Sequence, residues 1–140
     1  MKPEAIFLPV GALALWTGVI MFLVGFRRIR AVMARRIPRN AFRLGESPAV
    51  PDDVAVFNRN LMNLLEMPVL FYVACLATYV THQGGPGTVA LAWAYVALRI
   101  VHTIVHVSYN KVVHRLFPFA FSNVVLLAMW LRFLWRILHA

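Results

Sequence analysis

Residues 5–26 form an uninterrupted apolar segment that contains no charged side chain. A helix of these 22 residues is about 33 Å long, which is enough to cross the hydrocarbon core of a bilayer. Seven arginines follow between Arg27 and Arg43. A cleaved signal peptide has a shorter apolar region without such a basic block behind it, so we interpret the segment as a retained membrane span. This segment restricts the chain to folds that a membrane accommodates.

The composition extends this conclusion to the whole chain. Hydrophobic residues make up 61% of the 140 residues and charged residues 14%, against about 25% charged residues in soluble domains. A soluble domain of this length has too little interior for so much apolar surface, and disordered chains are poor in apolar residues. The single cysteine, Cys75, excludes an internal disulfide. We therefore predict an integral membrane protein of one domain.

Four apolar segments predict an all-α, four-helix membrane bundle that comprises residues 1–140. The predicted spans are about 5–26, 54–81, 88–109 and 116–138. Between the first two spans lies a polar loop with a helical start, which is interrupted by Pro38, Gly45, Pro48 and Pro51. Asp52 and Asp53 are positioned to cap the second helix. Arg132 and Arg136 are expected to snorkel at the far end of the fourth span.

The basic residues are distributed unevenly between the loops. The first loop carries seven arginines and the third carries Lys111 and Arg115, whereas the second carries neither lysine nor arginine. The positive-inside rule then places the first and third loops in the cytoplasm and both termini outside. A net charge of +9 would suggest nucleic acid for a soluble protein. Beside a membrane span it is more simply a topology signal near anionic headgroups, and we expect no nucleic-acid partner.

Two spans carry a polar stripe in the half nearest to the cytoplasm. On the second span the stripe comprises Arg59, Asn63 and Glu66, and on the third it comprises Arg99, His102, His106 and Tyr109. Arginines at the end of the first span and the start of the fourth join the same layer. Ionisable groups in a membrane span cost about 2.5–3.5 kcal/mol each and usually face a partner or a cavity. A structural ion pair between Glu66 and an arginine explains part of this pattern, and the remaining groups favour a functional site.

The surplus of arginine around a single carboxylate predicts an anionic ligand. Guanidinium groups suit carboxylates, and Glu66 can receive an ammonium group, so we expect a small zwitterionic molecule and an apolar co-substrate from the lipid. His102 and His106 have the i, i+4 spacing of a metal-binding pair. They lack the adjacent glutamate of a zinc protease and lie among cations, so we assign no metal. Haem is disfavoured because the other histidines lie at helix ends.

The motifs on these spans resemble those of a known membrane family. R-x-x-x-N-x-x-E-M-P, which begins at Arg59, is similar to the second-helix signature of the MAPEG superfamily, the membrane-associated proteins in eicosanoid and glutathione metabolism. R-I-V-H-T, which begins at Arg99, resembles the third-helix signature of its prostaglandin synthase members. The length, the four spans and the long basic first loop also match. The resemblance covers nearly the whole chain.

The resemblance implies a homotrimer that holds glutathione, as co-substrate, between subunits near the cytoplasmic face. The residues in glutathione-binding positions are Arg28 or Arg30, Arg59, Asn63, Glu66, Arg99 and His102, with His106 where the family often has tyrosine. Arg115 matches the arginine that polarises the thiol in prostaglandin synthases. Leu116 and Phe119 stand where those enzymes have serine and tyrosine, which leaves Tyr109 as a candidate catalytic hydroxyl beside Arg115. We therefore predict a glutathione transferase or peroxidase for lipophilic electrophiles.

Two other functions remain open at this point. Four spans with one membrane glutamate also fit a small multidrug-type transporter, although a carrier of cations should not surround its carboxylate with arginine. The other alternative is a catalytically inactive family member that binds lipid or glutathione. In each case we expect a multi-pass protein of a bacterial inner membrane or an endomembrane, in contact with membrane lipids and with its site toward the cytoplasm.

Overall fold

The computed structural model of the protein describes residues 2–43 and 47–139, and its regular structure there is entirely helical. The predicted loop break at Gly45 lies outside these residues. The α-helices are α1 (Phe7–Met33), α2 (Asp52–Leu65), α3 (Met67–Val80), α4 (Pro86–Val107) and α5 (Val112–Leu138). Short 3-10 helices cover Pro3–Ile6 and Arg39–Phe42.

Four helical segments of this structure are long and apolar enough to cross a membrane. They are Pro3–Met33, Asp52–Val80, Pro86–Val107 and Val112–Leu138. The prediction of an all-α bundle with four spans is confirmed at this level. The first helix extends beyond the predicted apolar segment because its arginines are good helix formers and continue it to Met33.

The second span is divided at Glu66, where the sequence predicted one continuous helix. Glu66 has φ −88° and ψ −92°, which is outside the helical region. The Glu66 N–H still donates to the carbonyl of Met62 at 3.0 Å and ends α2. Pro68, buried two residues later, has no N–H to continue the ladder, and its ring collides with the carbonyl four residues before it. The chain therefore starts a new helix at Met67.

Helix α4 lies at the centre of the bundle and packs mainly against α5, with α1 and α2 on its other sides. The apolar core includes Leu13, Ile20, Leu64, Phe71, Tyr95 and Met129. The rings of Phe71 and Tyr95 stack with their centroids 4.6 Å apart. Unlike the other helices, α4 also buries a series of polar side chains, namely Thr88, Arg99, His102, Thr103 and His106. The outer surface is apolar, as a lipid environment requires.

The described part of the first loop folds back against the end of α1 and the start of α2. Ile37 and Val50 are buried there in a small second apolar cluster with residues of both helices. Arg36 forms a bidentate ion pair with Asp53, with N···O distances of 2.8 and 3.0 Å. The predicted caps are therefore corrected. Pro51 is the N-cap residue of α2, no side chain caps its N–H groups, and Asp52 and Asp53 lie in its first turn.

At the other end of the bundle, two arginines of α5 hold the turn between α3 and α4. Arg136 donates from Nη1 to the carbonyls of Gln83 at 2.7 Å and Gly84 at 3.3 Å. The Nε of Arg132 donates to the Thr88 hydroxyl at 3.3 Å. These guanidinium groups, which were expected to snorkel at the far end of the fourth span, cross-link α5 to the turn between α3 and α4 and to the first turn of α4.

Candidate functional site

A polar cleft opens between α2 and the junction of α4 with α5. Its volume is about 570 Å³, within the range of about 300–1,000 Å³ that is usual for small-molecule sites. The described residues that line it are Val56, Asn58, Arg59, Met62, Asn63, His106, Asn110 and Arg115. Two of them are arginines, three are asparagines and none is acidic. We call this the polar cleft.

A smaller cavity of about 220 Å³ adjoins the polar cleft and shares Asn63 and Arg115 with it. Its other lining residues are His102, Val112, Leu116 and Phe119. Val112 and Leu116 are also exposed on the outer surface of the bundle. We call this cavity the apolar recess, because its walls away from the polar cleft are mainly apolar and reach the outer surface of the bundle.

Arg115 is held at the boundary of the two cavities by the turn between α4 and α5. Its Nη1 donates to the side-chain oxygen of Asn110 at 2.7 Å. Asn110 has φ +48°, a left-handed conformation that asparagine tolerates better than most residues. The backbone carbonyl of Arg115 lies 2.9 Å from Nδ1 of His102. A carbonyl only accepts, so this hydrogen bond requires the proton on Nδ1 and leaves Nε2 as an acceptor in the neutral ring.

Arg99 is completely buried behind the apolar recess. Its Nε donates to the Tyr95 hydroxyl at 3.1 Å. Its guanidinium carbon lies 5.4 Å from the ring centroid of Tyr95 and 5.2 Å from that of Phe119. Both terminal nitrogens, Nη1 and Nη2, are buried without a hydrogen-bond partner in the described part of the chain. Burying such donors without partners reduces the free energy of unfolding. A purely structural role therefore explains Arg99 poorly.

Several other polar groups of α2 and α4 are likewise buried with atoms that have no partner among the described residues. Asn60 is fully buried and neither atom of its side-chain amide has a partner among the described residues. The same is true of the Thr103 hydroxyl and of Nδ1 of His106. Native interiors leave few such groups unsatisfied. Sequence reasoning assigned none of Asn60, Tyr95 and Thr103 to the site, although Tyr95 lies four residues before Arg99 on the same helix face.

The structure separates the two arginines proposed from the end of the first span. Arg28 donates to the side-chain oxygen of Asn58 at 2.7 Å, and Asn58 lines the polar cleft. Arg28 therefore lies directly behind that cleft. Arg30 lines a different cavity with Arg27 and Arg36.

Two further candidate residues lie outside the polar cleft and the apolar recess. Glu66 is exposed at the break between α2 and α3 and forms no ion pair with Arg99 in the described structure. Tyr109 is 54% exposed, and its hydroxyl lies 3.3 Å from Nδ1 of His114. The ion pair considered from sequence as a structural explanation for Glu66 is therefore not observed with Arg99.

The two histidines of α4 contact each other. The rings of His102 and His106 meet edge to face with centroids 5.5 Å apart. No third histidine, cysteine, aspartate or glutamate among the described residues joins them in a group that could hold a metal ion.

Comparison with family models gives a match over residues 6–135 to the model of the MAPEG family. This range contains every residue that lines the polar cleft and the apolar recess. Comparison with curated proteins and with solved structures gives no match.

Proposed function

The chain belongs to the MAPEG family, and on that premise we propose that it is a glutathione transferase or peroxidase that acts on lipophilic electrophiles. Membership of the family and four apolar spans make it an integral, multi-pass membrane protein of the glutathione and eicosanoid metabolism group. The observation that carries the finer proposal is the polar cleft, which combines two arginines with three asparagines and adjoins an apolar recess.

The polar groups of the cleft match the chemistry of glutathione. The tripeptide carries two carboxylates, and guanidinium groups such as those of Arg59 and Arg115 bind carboxylates through paired hydrogen bonds. Its peptide groups need both donors and acceptors, which the amides of Asn58, Asn63 and Asn110 supply. An apolar co-substrate enters the recess from the lipid and meets the thiol at Arg115.

Arg115 is the residue proposed to activate the thiol. A cation beside the sulfur lowers the pKa of the thiol and favours the thiolate, while the proton leaves to solvent. The thiolate then attacks the electrophilic carbon, so that a sulfur–carbon bond forms and the leaving group departs with its electron pair. With a hydroperoxide, attack on oxygen gives an alcohol and a glutathione sulfenic acid. A second glutathione condenses with that acid to give the disulfide and water.

We also propose that the active unit is a homotrimer. Glu66 lies within the second span but is exposed on the single chain. A charged side chain that faces hydrocarbon costs about 2.5–3.5 kcal/mol, so another subunit has to cover it. In that arrangement the carboxylate of Glu66 meets a cleft of the neighbouring subunit, where it receives the ammonium group of glutathione.

The deciding experiment uses purified protein in detergent, titrated with glutathione and then given an activated aryl halide. We expect ultraviolet thiolate absorption to appear on binding and the halide to be conjugated. Arg115→Ala should lower kcat by about 10-fold or more, since a lost charge-assisted contact is worth about 1.5–3 kcal/mol. It should also move the pH–rate profile upward, because the bound thiol loses its nearby cation.

Lys111→Ala is the matched control, because Lys111 is an exposed cation of the same turn that does not line the cleft. It should leave the thiolate signal and kcat near those of the parent. Binding without thiolate formation would indicate a glutathione-binding protein without catalysis. Absence of binding would overturn the proposal and favour the lipid-binding or transporter alternatives.

A further inference from the structure

A second basic cleft lies at the arginine-rich end of α1, apart from the site described above. Its volume is about 350 Å³. The described residues that line it are Arg27, Arg30, Ala31, Ala34, Arg36, Asp53 and Val54, none of which lines the polar cleft. We call it the α1 cleft.

The charges of the α1 cleft do not cancel. Arg36 is neutralised by its bidentate ion pair with Asp53. Arg27 lies over the ring of Phe57 at 4.6 Å, a contact that leaves its N–H groups available. Arg30 is exposed, and neither it nor Arg27 forms an ion pair with a carboxylate in the described structure. The cleft therefore presents two uncompensated guanidinium groups to an anion.

The position of the α1 cleft along the helix indicates the source of that anion. Arg27 directly follows the uncharged segment 5–26, so it lies where the first span leaves the hydrocarbon for the headgroup layer. Phe22, Phe26 and Ile29 are exposed and share one face of α1, and at about 100° of rotation per residue Arg30 lies about 40° around the helix from Phe26. The Arg30 side of the cleft therefore borders an exposed apolar surface of α1.

We propose that the α1 cleft binds the phosphate group of an anionic phospholipid. The forked donors of Arg27 and Arg30 suit the phosphate oxygens, and the acyl chains follow Phe22 and Phe26 into the bilayer. Basic pockets beside membrane helices on the cytoplasmic side bind lipid headgroups in this way. The arginines at the end of the first span then have different roles. Arg28 lies behind the polar cleft, whereas Arg27 and Arg30 bind the lipid phosphate.

The test measures the lipid that remains bound to the detergent-purified protein by native mass spectrometry. The protein is titrated separately with phosphatidylglycerol and with phosphatidylcholine. The parent protein should retain more phosphatidylglycerol than phosphatidylcholine. Arg27→Gln/Arg30→Gln should lower that retention about 10-fold or more, the loss expected when charge-assisted contacts disappear. Arg35→Gln/Arg43→Gln is the matched control, because it removes the same charge from the segment that directly follows α1, outside the cleft, and should lower retention less than about 2-fold.

Three results would overturn the proposal. Equal losses in both double variants would indicate diffuse attraction of the whole loop to negative charge. Unchanged retention in the cleft variant would exclude the site. Soluble glycerophosphate that competes as well as the intact lipid would identify a site for free phosphate instead. The double variant also removes the contact between Arg27 and the Phe57 ring. For this reason Arg30→Gln is measured alone as well. Arg30 forms no hydrogen bond, ion pair or ring contact through its side chain in the described structure, so its variant should fold and still lose part of the retention.

Discussion

Arg99, Asn60 and Thr103 are polar residues that packing alone does not explain in an apolar membrane bundle. Arg99, Asn60 and Thr103 are completely buried, and each leaves polar atoms unpaired in the described structure. A fold selected for stability alone would place apolar side chains at these positions, since each unpaired buried group costs about 1–3 kcal/mol. Sites that break a local rule in this way are often functional.

We therefore expect Arg99→Met to separate stability from binding. Replacing a buried, poorly paired charge by an apolar side chain of similar length is often neutral or stabilising, so the melting temperature should hold or rise. Glutathione affinity should fall, because the cation behind Phe119 and the apolar recess is lost. Thermal melting and glutathione titration of the two proteins check this.

Tyr95→Phe is the comparison variant for Arg99→Met, because Tyr95 is also buried and its hydroxyl contacts Arg99. It removes the hydroxyl that accepts from Nε of Arg99 and leaves a further buried donor unpaired. It should destabilise by about 1–3 kcal/mol. A lower melting temperature for Arg99→Met together with unchanged glutathione binding would make Arg99 a structural residue.

At the scale of elements, the break between α2 and α3 decides which residues share a face. On a continuous helix, Glu66 lies on the same stripe as Arg59 and Asn63. Because α2 ends at Leu65 and a new helix begins at Met67, the regular rotation from residue to residue is interrupted at Glu66, which no longer lies on that stripe. Arg59 and Asn63 remain on the polar cleft, whereas Glu66 is exposed beside it.

The turn between α3 and α4 is an element whose geometry depends on α5. Arg136→Leu should destabilise the protein by about 1–2 kcal/mol, because the guanidinium donates to the carbonyls of Gln83 and Gly84 at the partly exposed end of the bundle. Glutathione binding should be unaffected, since this turn and the polar cleft are separated by the 22 residues of α4, about 33 Å.

Thermal melting and glutathione titration test this prediction against Arg35→Leu, which removes an exposed arginine without a described side-chain hydrogen bond. The control should melt near the parent. If Arg136→Leu also melts with the parent, its hydrogen bonds contribute nothing to stability. If it weakens glutathione binding, the two ends of the bundle are coupled.

At the scale of the whole molecule, the exposed acid within the second span predicts self-association. Native mass spectrometry in detergent should show three chains. Glu66→Gln should keep the trimer and weaken glutathione binding by about 10- to 150-fold, since it removes one charge-assisted contact to the ammonium group. Leu65→Gln, an exposed neighbour, is the control for general effects at the interface. A monomer that retains full activity would contradict the trimer.

The orientation of the molecule is a separate prediction. Seven arginines in the first loop place it in the cytoplasm. In a Cys75→Ala background, Ala49→Cys in that loop should resist an impermeant thiol reagent in intact cells, whereas Thr81→Cys at the opposite end should be labelled. Both positions are exposed, so access depends on the membrane side. The reverse labelling pattern would invert the topology and move the polar cleft to the other side.

The sequence by itself determined the membrane class, the four spans and the family, because long apolar segments and motif spacing are local properties of the chain. It also identified half of the residues that line the polar cleft, since periodicity places Arg59, Asn63 and His106 on polar helix faces and Arg115 begins the fourth span. Only the tertiary structure decided the rest. Pro68 interrupts the periodicity at Glu66, and packing against Tyr95 and Phe119 buries Arg99. Packing of α1 against α2 places Arg28 on Asn58 behind the polar cleft and Arg30 in the α1 cleft, because contacts between residues distant in sequence are absent from any local pattern.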